Sequence, residues 1–217
     1  MKTIISVLAL SALAAGASAQ QIADRTTLMG LLTSSTTDDF ETYRIASGGA
    51  DNLDISAMDS TSIANGQGPG LVNAGAKYAD PSGVQLQWNG DTYFGMDTQT
   101  ILSNGTSGDI SISYAGFVQA VGIDTKGFSG FPWNGFMDVY NGGLIDTISL
   151  SIASGGSETA FAGYLNAGGI TGVVIRSANY SWSPVIDNST YGVVPEPLSI
   201  VALASGLVAM VARRRRK

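Results

Sequence analysis

The chain has 217 residues, with no cysteine and no histidine, and its 11 Lys+Arg against 17 Asp+Glu give a net charge of −6. The missing residue types exclude Ser-His-Asp and Cys-His catalysis and any His- or Cys-ligated zinc as internal chemistry. No disulfide is available, so a core has to hold the fold.

The N-terminus opens with Lys2 and an apolar stretch over 4–15, then Ala17-Ser18-Ala19. A positive start, a short apolar run and small residues at Ala17 and Ala19 predict a signal peptide over 1–19, cut by signal peptidase to leave Gln20 first. The segment 20–197 then keeps 5 of the cations and all 17 acids, a net charge of −12. That surface repels nucleic acid and anionic lipid, and suits solubility. Its 178 residues suffice for one domain, with its end placed at 192.

Within this domain, 21–32 reads as a short helix or a loose arm. An acidic opening strand is expected at 40–45, preceded by Asp38 and Asp39, and 46–69 reads as a long Gly/Asn/Asp/Ser-rich loop. Further strands are expected at 70–78, 84–88, 109–114, 117–124, 136–140, 147–152, 159–164, 170–176 and 185–191. Period-2 alternation is clearest in Asp109-Ile110-Ser111-Ile112-Ser113-Tyr114 and Thr147-Ile148-Ser149-Leu150-Ser151-Ile152. Five Asn-Gly pairs, at 65–66, 89–90, 104–105, 134–135 and 141–142, supply turn signals. The expectation is an all-β, antiparallel β-sandwich.

Residues 193–217 form a tail of three parts. Pro195, Glu196 and Pro197 make a rigid acidic tripeptide. An uncharged run at 198–212 follows, about 22 Å long as a helix. Arg213, Arg214, Arg215, Arg216 and Lys217 close the chain. The run is short for a bilayer, but flanking arginines snorkel and bilayers thin locally. The terminal cations hold that end in the cytoplasm and the domain on the other side. This tail resembles the sorting signal of exported bacterial PEP-CTERM proteins, on Val194-Pro195-Glu196-Pro197, the small Ser205-Gly206 within the apolar run, and the basic end. The resemblance implies an exosortase as partner, with Pro195, Glu196 and Pro197 as recognition residues. It also implies a membrane-anchored intermediate, and then the cell surface or an exopolysaccharide (biofilm) matrix. The order of strands is similar to jelly-roll-like sandwich domains that carry such tails. It covers Asp38-Asp39-Phe40-Glu41, the 110–124 pair, Asp138-Val139-Tyr140, Phe161-Ala162-Gly163-Tyr164, 170–175 and Ile186-Asp187-Asn188.

Two constellations in the domain are candidate sites. In the aromatic loop 128–136, Phe131 and Trp133 would be stacking platforms for a glycan and Asn134 its polar partner; the alternative is that this loop folds back over the core. Asp39, Glu41 and Asp187 would supply hard oxygen ligands for a structural Ca²⁺ if the first and last strands are neighbours, or else are solvated carboxylates. No other cofactor is expected. The leading reading is a non-enzymatic exported protein sorted by exosortase. The first alternative is a carbohydrate-binding module for polysaccharide, and the second a secreted glycoside hydrolase using two carboxylates.

Overall fold

Strand alternation and the points where it breaks build the architecture. The computed structural model describes residues 19–104, 108–127, 132–153, 158–178 and 183–195. Its strands are β1 (Gln20–Ile22), β2 (Ser34–Asp38), β3 (Ala50–Asn52), β4 (Ala57–Met58), β5 (Ala76–Ala79), β6 (Leu86–Asn89), β7 (Thr100–Ser103), β8 (Ile110–Lys126), β9 (Trp133–Tyr140), β10 (Leu144–Ile152), β11 (Ala160–Ser177) and β12 (Val185–Val193). Helix α1 (Arg25–Leu31) lies between β1 and β2. All strand pairings are antiparallel, so the fold is all-β with one short helix among the described residues.

The long strands β8 and β11 pair along their length and organise everything else. The first part of β8 carries β5 on its other edge, and the last part carries β12. Likewise, β11 carries β1 along its first part and β9 along its last. One arm of the sheet therefore reads β10-β9-β11-β8-β5-β4. The other passes from β1 through β11, β8 and β12 to β7, β6 and β3, with β2 beside β12.

The arms meet where the β8–β11 register slips, between Leu165 and Gly172. The pairing shifts by three residues at Ile170–Val118 and returns to its first offset by Gly172–Ser113, so the irregular segment inside each strand, and not a lasting slip, reverses the face of its later side chains. The core-facing set shows this switch. It is Ile110, Ile112 and Tyr114 early in β8 but Val121 and Ile123 later, and Ala162 and Tyr164 early in β11 but Val173 and Ile175 later. Both arms thus present their apolar sides to one continuous core. A smaller cluster of Ile22, Leu28, Ala120, Leu165 and Val194 lies beneath α1 on the other side. Asp24 caps that helix, accepting from Thr27 N at 2.8 Å. Gly122 lets it dock, because a Cβ there would lie 2.7 Å from Phe161 and closer still to Leu28.

Several sequence expectations change. The expected strand at 40–45 is a core-covering loop: Phe40 has φ of 57°, which no strand tolerates, and the strand before it is Ser34–Asp38. Phe40 and Tyr43 are buried instead against Trp88, the first edge-on at 5.7 Å and the second stacked at 5.1 Å. The expected pairs 109–114/117–124 and 159–164/170–176 are each one bent strand. Of the strand expected at 70–78, only Ala76–Ala79 forms, and β7 was not expected. Asn65-Gly66 makes a tight turn with both φ positive, closed by Ala64 and Gln67, and Gly142 turns β9 into β10. Asn134-Gly135 lies inside β9 and is no turn. Beyond the expected boundary at 192, Val193 is still in β12, and Val194 is buried with its N–H donating to Gln119 Oε1 at 3.1 Å.

Candidate functional site

Trp133 is not a platform. It is 4% exposed, belongs to the main core, and donates from Nε1 to Ser177 Oγ at 2.8 Å. Gly127 and Gly135 make room for its ring. The ring that a loop would have placed in solvent is a core residue, because Trp133 opens β9 on its inward face. Asn134 points outward and is exposed, and its carbonyl accepts from Ala178 N at 2.9 Å. Phe131 lies outside the described residues.

The three proposed calcium ligands do not converge. Asp39 is exposed and accepts from Glu41 N at 3.2 Å. Glu41 is turned elsewhere by the left-handed Phe40, and its carboxylate takes Gln99 N at 2.8 Å and Gln99 Nε2 at 3.1 Å. Asp187 is buried and already holds Thr98 Oγ1 at 2.6 Å, Asn188 N at 2.6 Å and Asn188 Nδ2 at 2.9 Å. Among the described residues no group of three or more acidic side chains is placed to hold a metal. Burial pushes the Asp187 carboxyl up to about 6, with Asp124 and Glu41 adding repulsion. Arg25 neutralises Asp124 at 3.0 Å and reaches Asn188 O and Thr190 Oγ1, each at 2.7 Å.

Of the other residues singled out from the sequence, Ala19 and Pro195 are exposed at the two ends of the described chain. Ala17, Glu196, Pro197, the run 198–212, and Arg213, Arg214, Arg215, Arg216 and Lys217 lie outside the described residues. Among the described residues no helix is long and apolar enough to cross a membrane.

Two concavities have binding chemistry. The first is a groove of about 230 Å³ across β8, β12 and β2, lined by Ser34, Ser35, Thr36, Gly75, Gly116, Phe117, Val118, Tyr191, Gly192 and Val193. Among the described residues its lining holds no charged side chain. Phe117 is 63% exposed on a strand, with one edge of its ring against Gly169, where a Cβ would lie 3.0 Å away. Tyr191 is fixed by its hydroxyl, which donates to Ala74 O at 3.0 Å. A ring held on regular structure is a pre-oriented surface, and Ser and Thr hydroxyls around it supply donors and acceptors. Sequence reasoning missed this site because Phe117 was counted as an ordinary strand residue. The available signal was a large aromatic beside Gly116, out of phase with the alternation.

The second is a cleft of about 280 Å³ walled by Asp80, Pro81 and Ser82 after β5, Asp109 before β8, and Arg176, Ser177 and Ala178 at the end of β11. Asp80 is buried and tied to Ser82 N and Oγ, each at 2.5 Å, and to Ser103 Oγ. Arg176 donates to Asp138 from Nε at 2.6 Å and Nη2 at 3.3 Å, and lies 4.3 Å from the Phe136 ring. Burial would raise the Asp138 carboxyl, but Arg176 and Thr147 hold it below the usual range.

No protein-family model matches this chain, and no curated protein matches it. Among solved structures, a family 29 carbohydrate binding module from Piromyces equi superposes with a TM-score of 0.32 at 10% identity, over 73% of this chain and 89% of that one. Two variants of another family 29 module, CBM29-2, also superpose with TM-scores of 0.32 at 12% identity. They cover 74% and 75% of this chain and 92% and 99% of their own. At this level the likeness carries no ligand across to this chain.

Proposed function

We propose that this chain is a non-enzymatic, exported protein, sorted by an exosortase to the cell surface or exopolysaccharide matrix. There it binds neutral polysaccharide through the Phe117 groove. The two sheet arms around one core suit a jelly-roll-like sandwich carrying such a surface.

The observation behind the binding reading is the exposed, strand-held Phe117 ring in an uncharged groove edged by Ser34, Ser35 and Thr36. A pyranose presents an apolar C–H face and a rim of hydroxyls. The first packs on an aromatic ring, and the second exchanges hydrogen bonds with serine and threonine. The uncharged lining among the described residues suits a neutral sugar, and the −12 of the segment 20–197 disfavours a uronate polymer. The face assigned from sequence, at Trp133, is replaced by this one.

The sorting reading rests on the tail. It is supported by the position of Pro195, the first residue of the recognition tripeptide, which is exposed directly after the buried Val194. The groove borders that point through Val193.

Affinity electrophoresis in gels containing neutral polysaccharide tests the binding face. Phe117→Ala should weaken retardation by about tenfold in affinity, or ~1.4 kcal/mol. Unchanged retardation of a folded Phe117→Ala protein refutes the face. Expression with and without an exosortase, followed by fractionation and mass measurement, tests the sorting. An uncut, membrane-bound product in the presence of the enzyme refutes it.

A further inference from the structure

The cleft between Asp80, Asp109 and Arg176 plays no part in the groove reading, and its charges do not cancel. Asp80 has three donors, so its anion is already compensated. The Arg176 charge is committed to Asp138 and is flanked on its face by Phe136. Asp109 differs from both. It is half-buried, and among the described residues its carboxylate accepts no hydrogen bond. Burial raises its pKa, Asp80 and Asp138 repel its charge, and Arg176 attracts it from within another ion pair. The cleft is thus a concave, three-segment site with one uncompensated carboxylate and the Ser82 hydroxyl in its wall.

We infer that this cleft binds a primary ammonium group, with Asp109 as its counter-ion. An ammonium carries three donors and one positive charge, and the lining offers oxygens from Asp109, Asp80 and Ser82. Anions are disfavoured, because Asp80 and Asp109 line the cleft beside a single guanidinium that is already paired with Asp138. The volume of about 280 Å³ admits one sugar residue or the end of a small amine. The chemistry is shared by polysaccharides with free amino groups and by polyamines. This inference stands independently of the Phe117 groove.

The test uses calorimetric titration of the full-length protein with a de-N-acetylated glucosamine oligomer, its N-acetylated counterpart, and spermidine. The free-amine oligomer should bind at least about tenfold more tightly than the acetylated one, and added salt should weaken it. Asp109→Asn keeps the side-chain shape and loses no hydrogen bond to any described residue. It should lower affinity for the free amine by about tenfold or more, whereas Asp109→Glu should retain part of it. Spermidine competing with the oligomer supports an ammonium site open to polyamines. An oligomer that binds without spermidine competition supports an ammonium site that also requires the sugar ring. Equal affinity of the acetylated oligomer, or unchanged binding by Asp109→Asn, overturns the assignment. Loss through Phe117→Ala, but not Asp109→Asn, would place amine binding in the groove and overturn it as well.

Discussion

Asp187→Asn should make this protein more stable above neutral pH and leave it little changed in acid. Asp187 is 1% exposed and stands directly across the β8–β12 ladder from Asp124. Burial is the main cause of its rise from 3.8 to about 6, with Asp124 and Glu41 acting the same way and Thr98 and Asn188 opposing. Its folded-state value lies above its unfolded one, so between the two the native state holds a proton that the unfolded chain has released. Stability therefore falls as pH rises through that window, the reverse of a salt-bridged carboxylate. Fully developed above the window, the penalty is about 3 kcal/mol. Asparagine removes the charge and keeps one acceptor oxygen, at a cost of about 1 kcal/mol for the second. The net gain near pH 8 is then about 2 kcal/mol, and near pH 4.5 it is about zero. Urea unfolding followed by tryptophan fluorescence at the two pH values measures both. A wild-type-to-variant difference that is the same at both pH values would refute the reasoning.

Two other substitutions probe the packing that positions the groove and the cleft. Gly122→Ala should lower stability by about 1–3 kcal/mol, because its methyl group would overlap Leu28 and Phe161 beneath α1. Thermal unfolding that shows no loss would mean that the helix does not sit there. Tyr78→Phe should cost about 1.5–3 kcal/mol: the buried Tyr78 hydroxyl donates to Asp38 at 2.5 Å, and its removal leaves that carboxylate to Asn73 alone. Urea unfolding measures it, and a neutral result would show that another donor replaces the tyrosine.

The strands with strict alternation were legible. Ile110, Ile112, Ile148, Leu150 and Ile152 face the core as their period predicts. The continuity of the long strands was not, because Ala115-Gly116 and Gly168-Gly169 look like turns in one dimension. A bent strand absorbs such residues when partners on both edges keep its backbone bonded. Phe40 was misread for the complementary reason. Its neighbours suit a strand, but the aromatic cage of Tyr43, Tyr78 and Trp88 draws it into a left-handed conformation. The sites were less legible still. Trp133 and Phe117 are both aromatic residues next to glycine or proline, and only the face each strand turns outward separates a core ring from an exposed one.

Composition and order in the chain determined the excluded chemistries, the all-β class, the charge of residues 20–197 and the three-part tail. Each depends on which residues are present or on a local period, and neither needs a partner strand. The tertiary structure decided which aromatic is exposed, which carboxylates are hydrogen-bonded, and that Asp39, Glu41 and Asp187 form no group able to hold a metal. Those outcomes follow from the irregular segments inside β8 and β11 and the left-handed Phe40. An irregularity inside a strand reverses the face of its later side chains, and no local pattern specifies it.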